Sequence, residues 1–186
     1  MALSSPSDSQ TVLCVDLDGT LIRDDVSIKS LGLLLQSNPF WIFCVLFWLI
    51  RGSAHMRRQI ALRVVLDPST LSYRDDVLEF IREEKNRGRK IVLATASDQK
   101  YADQVAQHVG LFDEAVGSEG GISLSSGFKR AALEERYGRY SYVGNSSDDL
   151  EVWIGASEIY AVCVSKTILR KLQSVKTPIK IFFNTK

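Results

Sequence analysis

The 186 residues are 45% hydrophobic and 24% charged, an ordinary globular composition able to bury one sizeable core with room for one small insertion. Lys and Arg number 23 against 22 acids, a formal charge of +1, which excludes the broad basic face that recruits nucleic acid. Cys14, Cys44 and Cys163 lie inside apolar runs without paired or metal-ligand spacing, so they read as free thiols packed as small hydrophobes in a reducing, cytoplasmic setting.

In chain order, the opening MALSSPSDSQ carries neither a basic leader nor an apolar segment and reads as a frayed tail rather than a secretory signal. VLCV at 12–15 is a continuous apolar run, the pattern of a strand covered on both faces in a parallel sheet. A helix is expected over 27–36. A second, with Asn38 as its cap and Pro39 in the first helical position, ends near residue 51. Residues 30–50 carry no charge, yet Gln36 to Pro39 interrupt them. The 11 residues left at 40–50 are too few to cross a bilayer, for which roughly 20 are needed. A third helix over 53–66 carries His55, Arg57, Arg58 and Arg63 and is closed by Asp67-Pro68.

Beyond Tyr73, Val77, Leu78, Phe80 and Ile81 fall at helical spacing, Gly88 sits where a C-terminal cap is wanted, and KIVLATAS reads as a strand running into a loop. Ser97 is expected to cap a helix through His108. A short strand follows at 114–116, Lys129 opens a helix ending near Gly138, and 140–143 forms another strand. A short helix around 152–154 precedes the strand IYAVCVS, and 166–186 is a basic tail without an assigned element. The alternation predicts an α/β fold: a Rossmann-like parallel sheet flanked by helices, with right-handed crossovers and one small helical insertion after the first strand.

The unusual residues all fall where these strands end. Asp16-Leu17-Asp18-Gly19-Thr20 follows the first strand and Thr95-Ala96-Ser97 the second. Lys129 starts a helix, and Gly144-Asn145-Ser146-Ser147-Asp148-Asp149 follows the strand at 140–143. In an open parallel sheet ligands bind at that edge. Two carboxylates behind a buried strand are costly to desolvate unless a partner there needs their charge. Acid and amide oxygens suit Mg²⁺, whereas hydroxyls and a lysine suit a phosphate. Alternation puts Asp16 and Asp18 on the same side of the departing chain, and Gly19 permits the sharp turn. One such carboxylate can take up a phosphoryl group, while the other moves the protons. Lys129 has a rival in Arg130, but Leu133 and Tyr137 continue its helix at packing intervals. Asp148 reads as a helix-start charge, and His55 and His108, without partners at ligand spacing, read as structural.

DLDGT, LATAS, GFK and GNSSDD, in that order, resemble the four motifs of the haloacid dehalogenase superfamily, whose members are mostly Mg²⁺-dependent phosphatases. The resemblance implies Asp16 as nucleophile, Asp18 as acid and base, Thr95 as a phosphoryl donor and Lys129 as the fixed positive charge. Gly19, Thr20, Ala96 and Ser97 would flank the phosphoryl group. Asp16, Asp18 through its carbonyl, Asn145 and Asp149 would hold Mg²⁺. It also implies a core of 1–25 and 73–186 with a helical cap at 26–72. One departure is Asn145, where the motif usually has Asp; a neutral amide there weakens Mg²⁺ binding.

More narrowly, LDPSTLSYRDDVLEFIREEKNRGRKIVLATASD, HVGLFDEAVGSEG and the GNS of motif four resemble the phosphatase-like domain preceding UbiA-type intramembrane prenyltransferases in bacterial fusion proteins. This implies a phosphorylated small-molecule or polyprenyl-linked substrate and contact with such a prenyltransferase or the inner face of a membrane. Two alternatives are a catalytically weak module that docks on and regulates the prenyltransferase, and phosphoryl transfer to an acceptor other than water. Trp41, Phe43, Phe47 and Trp48 have two readings. They are core of the insertion, or they meet lipid with Arg51, Arg57, Arg58 and Arg63 near anionic headgroups.

Overall fold

The computed structural model describes residues 11–120, 122–173 and 179–182. The chain runs β1 (Val12–Val15), α1 (Val26–Ser37), α2 (Trp41–Ile50), α3 (Ser53–Ala61), α4 (Asp75–Asn86), β2 (Ile91–Asp98), α5 (Gln99–Val109) and β3 (Glu114–Ser118). It continues through α6 (Ser126–Tyr137), β4 (Tyr140–Gly144), α7 (Leu150–Gly155), β5 (Ile159–Val162), α8 (Lys166–Leu172) and β6 (Ile179–Phe182). The strands form one parallel sheet in the order β3-β2-β1-β4-β5-β6.

The central strands are apolar throughout because each face has its own cover. From β1, Leu13 and Val15 join Val77, Ile81, Tyr101 and Val105 of α4 and α5, while Cys14 joins Leu133, Val152 and Trp153 of α6 and α7 on the other face. The order reverses at β1, whose Val15 pairs with Leu93 on one side and Val143 on the other. The loops after β1 and β4 therefore diverge at a topological switch point, the crevice where open α/β sheets bind ligands.

Helices α1 to α3, with Val64 just beyond α3, carry a separate apolar cluster of Leu34, Val45, Trp48, Ile60 and Val64, with Trp41 and Met56 packed against it. Helix α3 is tied to the sheet edge: Arg58 pairs with Asp98 at 3.1 Å, and Lys100 Nζ donates to the carbonyls of Ala61 (2.5 Å) and Val64 (3.2 Å). Among the described residues no helix is long and apolar enough to cross a membrane.

Several expectations need correction. Helix α2 begins at Trp41 rather than Pro39, because Asn38 ends α1 and its side chain accepts from the Phe40 amide in the intervening turn. Helix α3 stops at Ala61, not at residue 66, where the chain unwinds to present its carbonyls to Lys100. Asp98, not Ser97, caps α5, since the strand runs one residue further and the Asp98 carboxylate accepts from the Lys100 amide. Lys129 lies one turn inside α6 rather than at its start. The basic tail contains α8 and the edge strand β6. Cys14 is buried and Cys44 half-buried, but Cys163 is exposed with φ +49°. The opening MALSSPSDSQ lies outside the described residues.

Candidate active site

Asp16 leaves β1 with its amide donating to the Val143 carbonyl at 3.0 Å, so the first residue past the strand is still held by the sheet. Its carboxylate is buried. Lys129 Nζ donates to Oδ1 at 2.7 Å and Thr20 Oγ1 to Oδ2 at 3.1 Å. Lys129 reaches it from α6, a turn past the helix start, and is itself buried; it also contacts the Tyr142 hydroxyl at 2.9 Å. Arg130 instead pairs with Glu134 along α6 at 2.8 Å.

The turn after Asp16 is tight. Gly19 has φ +77°, and a Cβ there would run into the Asn145 amide, so glycine serves both the backbone and the close approach of the loop after β4. Thr20 bridges the two loops, with its hydroxyl 3.1 Å from Asp16 Oδ2 and 3.1 Å from Asn145 Oδ1. That single hydroxyl brings one carboxylate oxygen and one amide oxygen, from strands more than a hundred residues apart, to the same spot.

Asp18 is clamped. Oδ1 accepts from the Val26 amide at the start of α1 (2.7 Å), and Oδ2 accepts from Ser97 Oγ (2.8 Å) and Thr95 Oγ1 (3.3 Å). Thr95 is fully buried behind Asp18, and its hydroxyl also accepts from the Ser97 amide at 3.0 Å. The cavity wall at that point is made by Ala96 and Ser97.

In the loop after β4, Asp149 organises the backbone. Its Oδ2 accepts from the amides of Asn145 and Ser146, both at 3.0 Å, and from Ser146 Oγ at 3.2 Å, while Oδ1 accepts from the Tyr142 hydroxyl at 2.8 Å. Gly144 is required beneath it, because a Cβ there would come within 2.7 Å of the Asp149 carboxyl carbon. Asp148 is exposed and lines the cavity mouth.

These groups surround a cavity of about 320 Å³ whose walls include Asp16, Asp18, Ser97, Lys129, Asn145 and Asp149, with Asp25, Ser27, Arg57, Ser125 and Ser126 towards the opening. Three acids face one ammonium. Burial, reinforced by the charges of Asp149 and Asp18, pushes the Asp16 carboxyl up to about 7 against the pull of Lys129. Burial also raises Asp18, despite the donors from Val26, Ser97 and Thr95. The carboxylates Asp16 and Asp149 hold Lys129 protonated against its own desolvation.

Sequence reasoning missed Arg57. Grouped there with the arginines facing headgroups, it instead lines this cavity from α3, donates to Ser123 Oγ at 2.7 Å, and keeps a buried Nε with no hydrogen-bond partner among the described residues. Arg58 is likewise taken up, by Asp98. Tyr142, which ties Lys129 to Asp149, was hidden inside an apolar strand pattern. Ser126, at φ +44°, enters α6 in a conformation that non-glycine residues rarely adopt and that clusters at functional sites. His55 and His108 stay outside the cavity walls; His108 stacks on Tyr73 at 5.7 Å. Among the described residues no group of three or more His, Cys, Asp and Glu side chains is set to hold a metal.

No family model matches the chain. An uncharacterized protein, y4nM, of Sinorhizobium fredii (strain NBRC 101917 / NGR234) is 34% identical over 159 residues, covering 81% of this chain and 29% of that protein. The chain thus spans under a third of the length of this curated relative. Among solved structures, a protein of unknown function from Bordetella pertussis Tohama I is similar at a TM-score of 0.68 with 12% identity, covering 92% of this chain and 98% of that one. A phosphoserine phosphatase carrying a phospho-aspartyl intermediate analogue is similar at 0.57 with 14% identity, covering 95% of each. A haloacid dehalogenase-family hydrolase of Salmonella enterica serovar Typhi is similar at 0.60 with 13% identity, covering 88% of this chain and 65% of that one. Across nearly its whole described length, the chain has the Rossmann-like fold of the haloacid dehalogenase type.

Proposed function

We propose that this protein hydrolyses a phosphomonoester through a covalent aspartyl-phosphate on Asp16, with residues 26–72 acting as a cap over the site. The observation that carries this reading is the buried Lys129–Asp16 contact of 2.7 Å on the wall of a polar cavity. A fixed ammonium beside a carboxylate that faces open space offers a nucleophile and a phosphoryl anchor together. The fold shared with a phosphatase bearing a phospho-aspartyl analogue supports it.

In the first step an Asp16 oxygen attacks phosphorus, the bond to the leaving alcohol breaks, and Asp18 gives its proton to the departing oxygen. Burial, which raises the Asp18 carboxyl, suits it to hold that proton. In the second step water loses a proton to Asp18 and attacks the same phosphorus, freeing inorganic phosphate and Asp16. Lys129 neutralises the phosphoryl oxygens in both steps. Ser97, already bonded to Asp18, is the hydroxyl at the wall; Thr95 acts from behind by holding Asp18 and the Ser97 amide.

Mg²⁺ fits the converging oxygens. Asp16 and the Asn145 amide oxygen, which share the Thr20 hydroxyl, would hold it, with the Asp18 carbonyl that the family resemblance adds, a sparse set that leaves room for the waters this ion keeps. When bound it offsets the repulsion between carboxylate and phosphate dianion. Asp149 contributes charge rather than a ligand atom, because its Oδ2 already accepts three hydrogen bonds from Asn145 and Ser146 and its Oδ1 one from Tyr142, whereas each Asp16 oxygen accepts only one among the described residues.

The rim supports a polar group next to the phosphate, since Asp25, Ser27, Arg57, Ser125 and Ser126 line it. A phosphorylated sugar or similar head fits there, with any polyprenyl portion lying outside the cavity. Asn145, and a relative of which the matched stretch covers only 29%, favour a second reading: a catalytically weak module that regulates a membrane prenyltransferase.

The test is to trap the intermediate. Incubated with p-nitrophenyl phosphate and Mg²⁺ and quenched in acid, the wild type should carry a hydroxylamine-labile phosphate that Asp16→Asn lacks. A wild type that neither turns over nor labels across a panel of phosphorylated metabolites and lipids gives the module reading the field.

A further inference from the structure

Helix α2 carries two apolar faces where a surface helix needs one. Trp41, Val45 and Trp48 form the seam packed against α1 and α3. On the opposite side Phe43, Leu46, Phe47 and Ile50, spaced i, i+3, i+4 and i+7, are 67%, 54%, 57% and 83% exposed. In a helix that faces water these four would be polar, because a contiguous bare patch of that kind marks an interaction surface.

Charge says what kind of surface it meets. Residues 26–66 hold five of the 23 cations, Lys29, Arg51, Arg57, Arg58 and Arg63, and none of the 22 acids. Two of these flank the bare helix: Arg51 lies over the Phe47 ring at 5.4 Å, and Arg63 over Trp41 and Trp48 at 5.4 and 4.7 Å. A second copy docked face to face would bring these arginines together with no acid to meet them. A negatively charged apolar boundary answers both features.

We propose that the Phe43–Ile50 face of α2 inserts into the headgroup boundary of an anionic lipid bilayer, with Arg51 and Arg63 at the level of the lipid phosphates. Ten residues of helix span about 15 Å, half the hydrocarbon thickness, so α2 lies in the interface rather than across it. The surface is independent of the catalytic groups, and it would hold the cavity of this protein beside the plane where amphipathic phosphates reside.

The test is flotation of the 186-residue chain with phosphatidylcholine vesicles, with and without phosphatidylglycerol, alongside sedimentation velocity without lipid. The wild type should float with the anionic vesicles and remain a monomer without them. Phe43→Ser/Phe47→Ser should cut partitioning by about a hundredfold, from two apolar side chains no longer buried, with an unchanged circular dichroism melt because both are already exposed. Arg51→Gln should cut it by about fivefold, an effect that vanishes at high salt. Asp16→Asn should float like the wild type, which separates this proposal from the catalytic one. Failure of the wild type to float, flotation indifferent to the phenylalanines, or a dimer that the double substitution dissolves would each overturn it.

Discussion

The two ends of the sheet bury ions in opposite ways. At the amino end Arg89 is surrounded: Nε donates to the Thr11 carbonyl (2.7 Å), Nη1 to Glu84 (2.8 Å), and Nη2 to Ser141 (2.5 Å) and Glu158 (2.9 Å). One cation meets two carboxylates with its donor groups engaged. At the carboxyl end Lys129 meets three, Asp16, Asp18 and Asp149, and a cavity opens beside them. The first arrangement is satisfied and closes the fold; the second leaves negative charge over, and that surplus is what a cation and a phosphoryl group can use.

The sharpest way to break the comparison is to remove one charge from each end. Asp16→Asn should lower phosphatase turnover by on the order of 10⁴ or more, since the nucleophile is lost. It should leave stability nearly unchanged, because the lost pairing with Lys129 and the relieved repulsion from Asp149 and Asp18 oppose each other. Arg89→Met should do the reverse. It strands Glu84 and Glu158 in a buried site, at a cost of about 3–5 kcal/mol in denaturant unfolding. Protein that remains folded should keep its turnover number. Equal loss of activity in both variants would erase the distinction.

A second way is to titrate both ends. Asp16 is raised from 3.8 to about 7, so the metal-free fold binds more protons there than the unfolded chain. Its contribution to stability is present at low pH and is lost as pH rises from about 4 to about 7. Glu158 has the opposite sign. Burial would raise it, but the Ser141 hydroxyl and the Arg89 guanidinium outweigh burial and lower it. Its contribution is present above the ordinary glutamate range and is lost as pH falls through its depressed value. Mg²⁺ competes with the Asp16 proton, so its affinity should climb by about fifteenfold between pH 5.5 and 7 and by no more than about twofold above. Calorimetry in buffers of different ionisation enthalpy reads the proton released. An affinity flat across that range removes Asp16 from the ion.

The contrast also explains what the amino-acid sequence could say. The carboxyl-end site was legible because its residues sit directly behind apolar runs, where a charge is conspicuous: Asp16 after VLCV, Asn145 after YSYVG. The Arg89 node was not, because Glu84, Arg89 and Glu158 look like solvated charges until the fold closes over them. Four arginines between 51 and 63 read alike in one dimension. Helix geometry sends Arg57 into the cavity and Arg58 to Asp98, while Arg51 and Arg63 remain on aromatic rings. Strand β6 escaped notice because four residues at a sheet edge, with Lys180 among them, give too short an apolar signal. Likewise the all-apolar α2 left burial and exposure both open, and Trp48 is buried while Phe43 and Phe47 are exposed: a helix of that composition has no polar face to reveal which side packs.

The smallest effect tests the point at which the surplus charge stops short of its usual size. Asn145 presents an amide oxygen that shares the Thr20 hydroxyl with Asp16. An aspartate in its place is nearly isosteric and keeps that hydrogen bond, so Asn145→Asp changes charge and little else. Without metal, a further carboxylate beside Asp16 must lower the melting temperature through like-charge repulsion. With Mg²⁺ the same carboxylate becomes a charged ligand, and affinity should rise by about tenfold. The two shifts have opposite signs, which no general loosening of the loop after β4 could produce, because loosening would lower both. An Asn145→Asp protein that melts lower yet binds Mg²⁺ no better would show that residue 145 faces the acids without reaching the ion, leaving Asp16 and the Asp18 carbonyl as the ligand set.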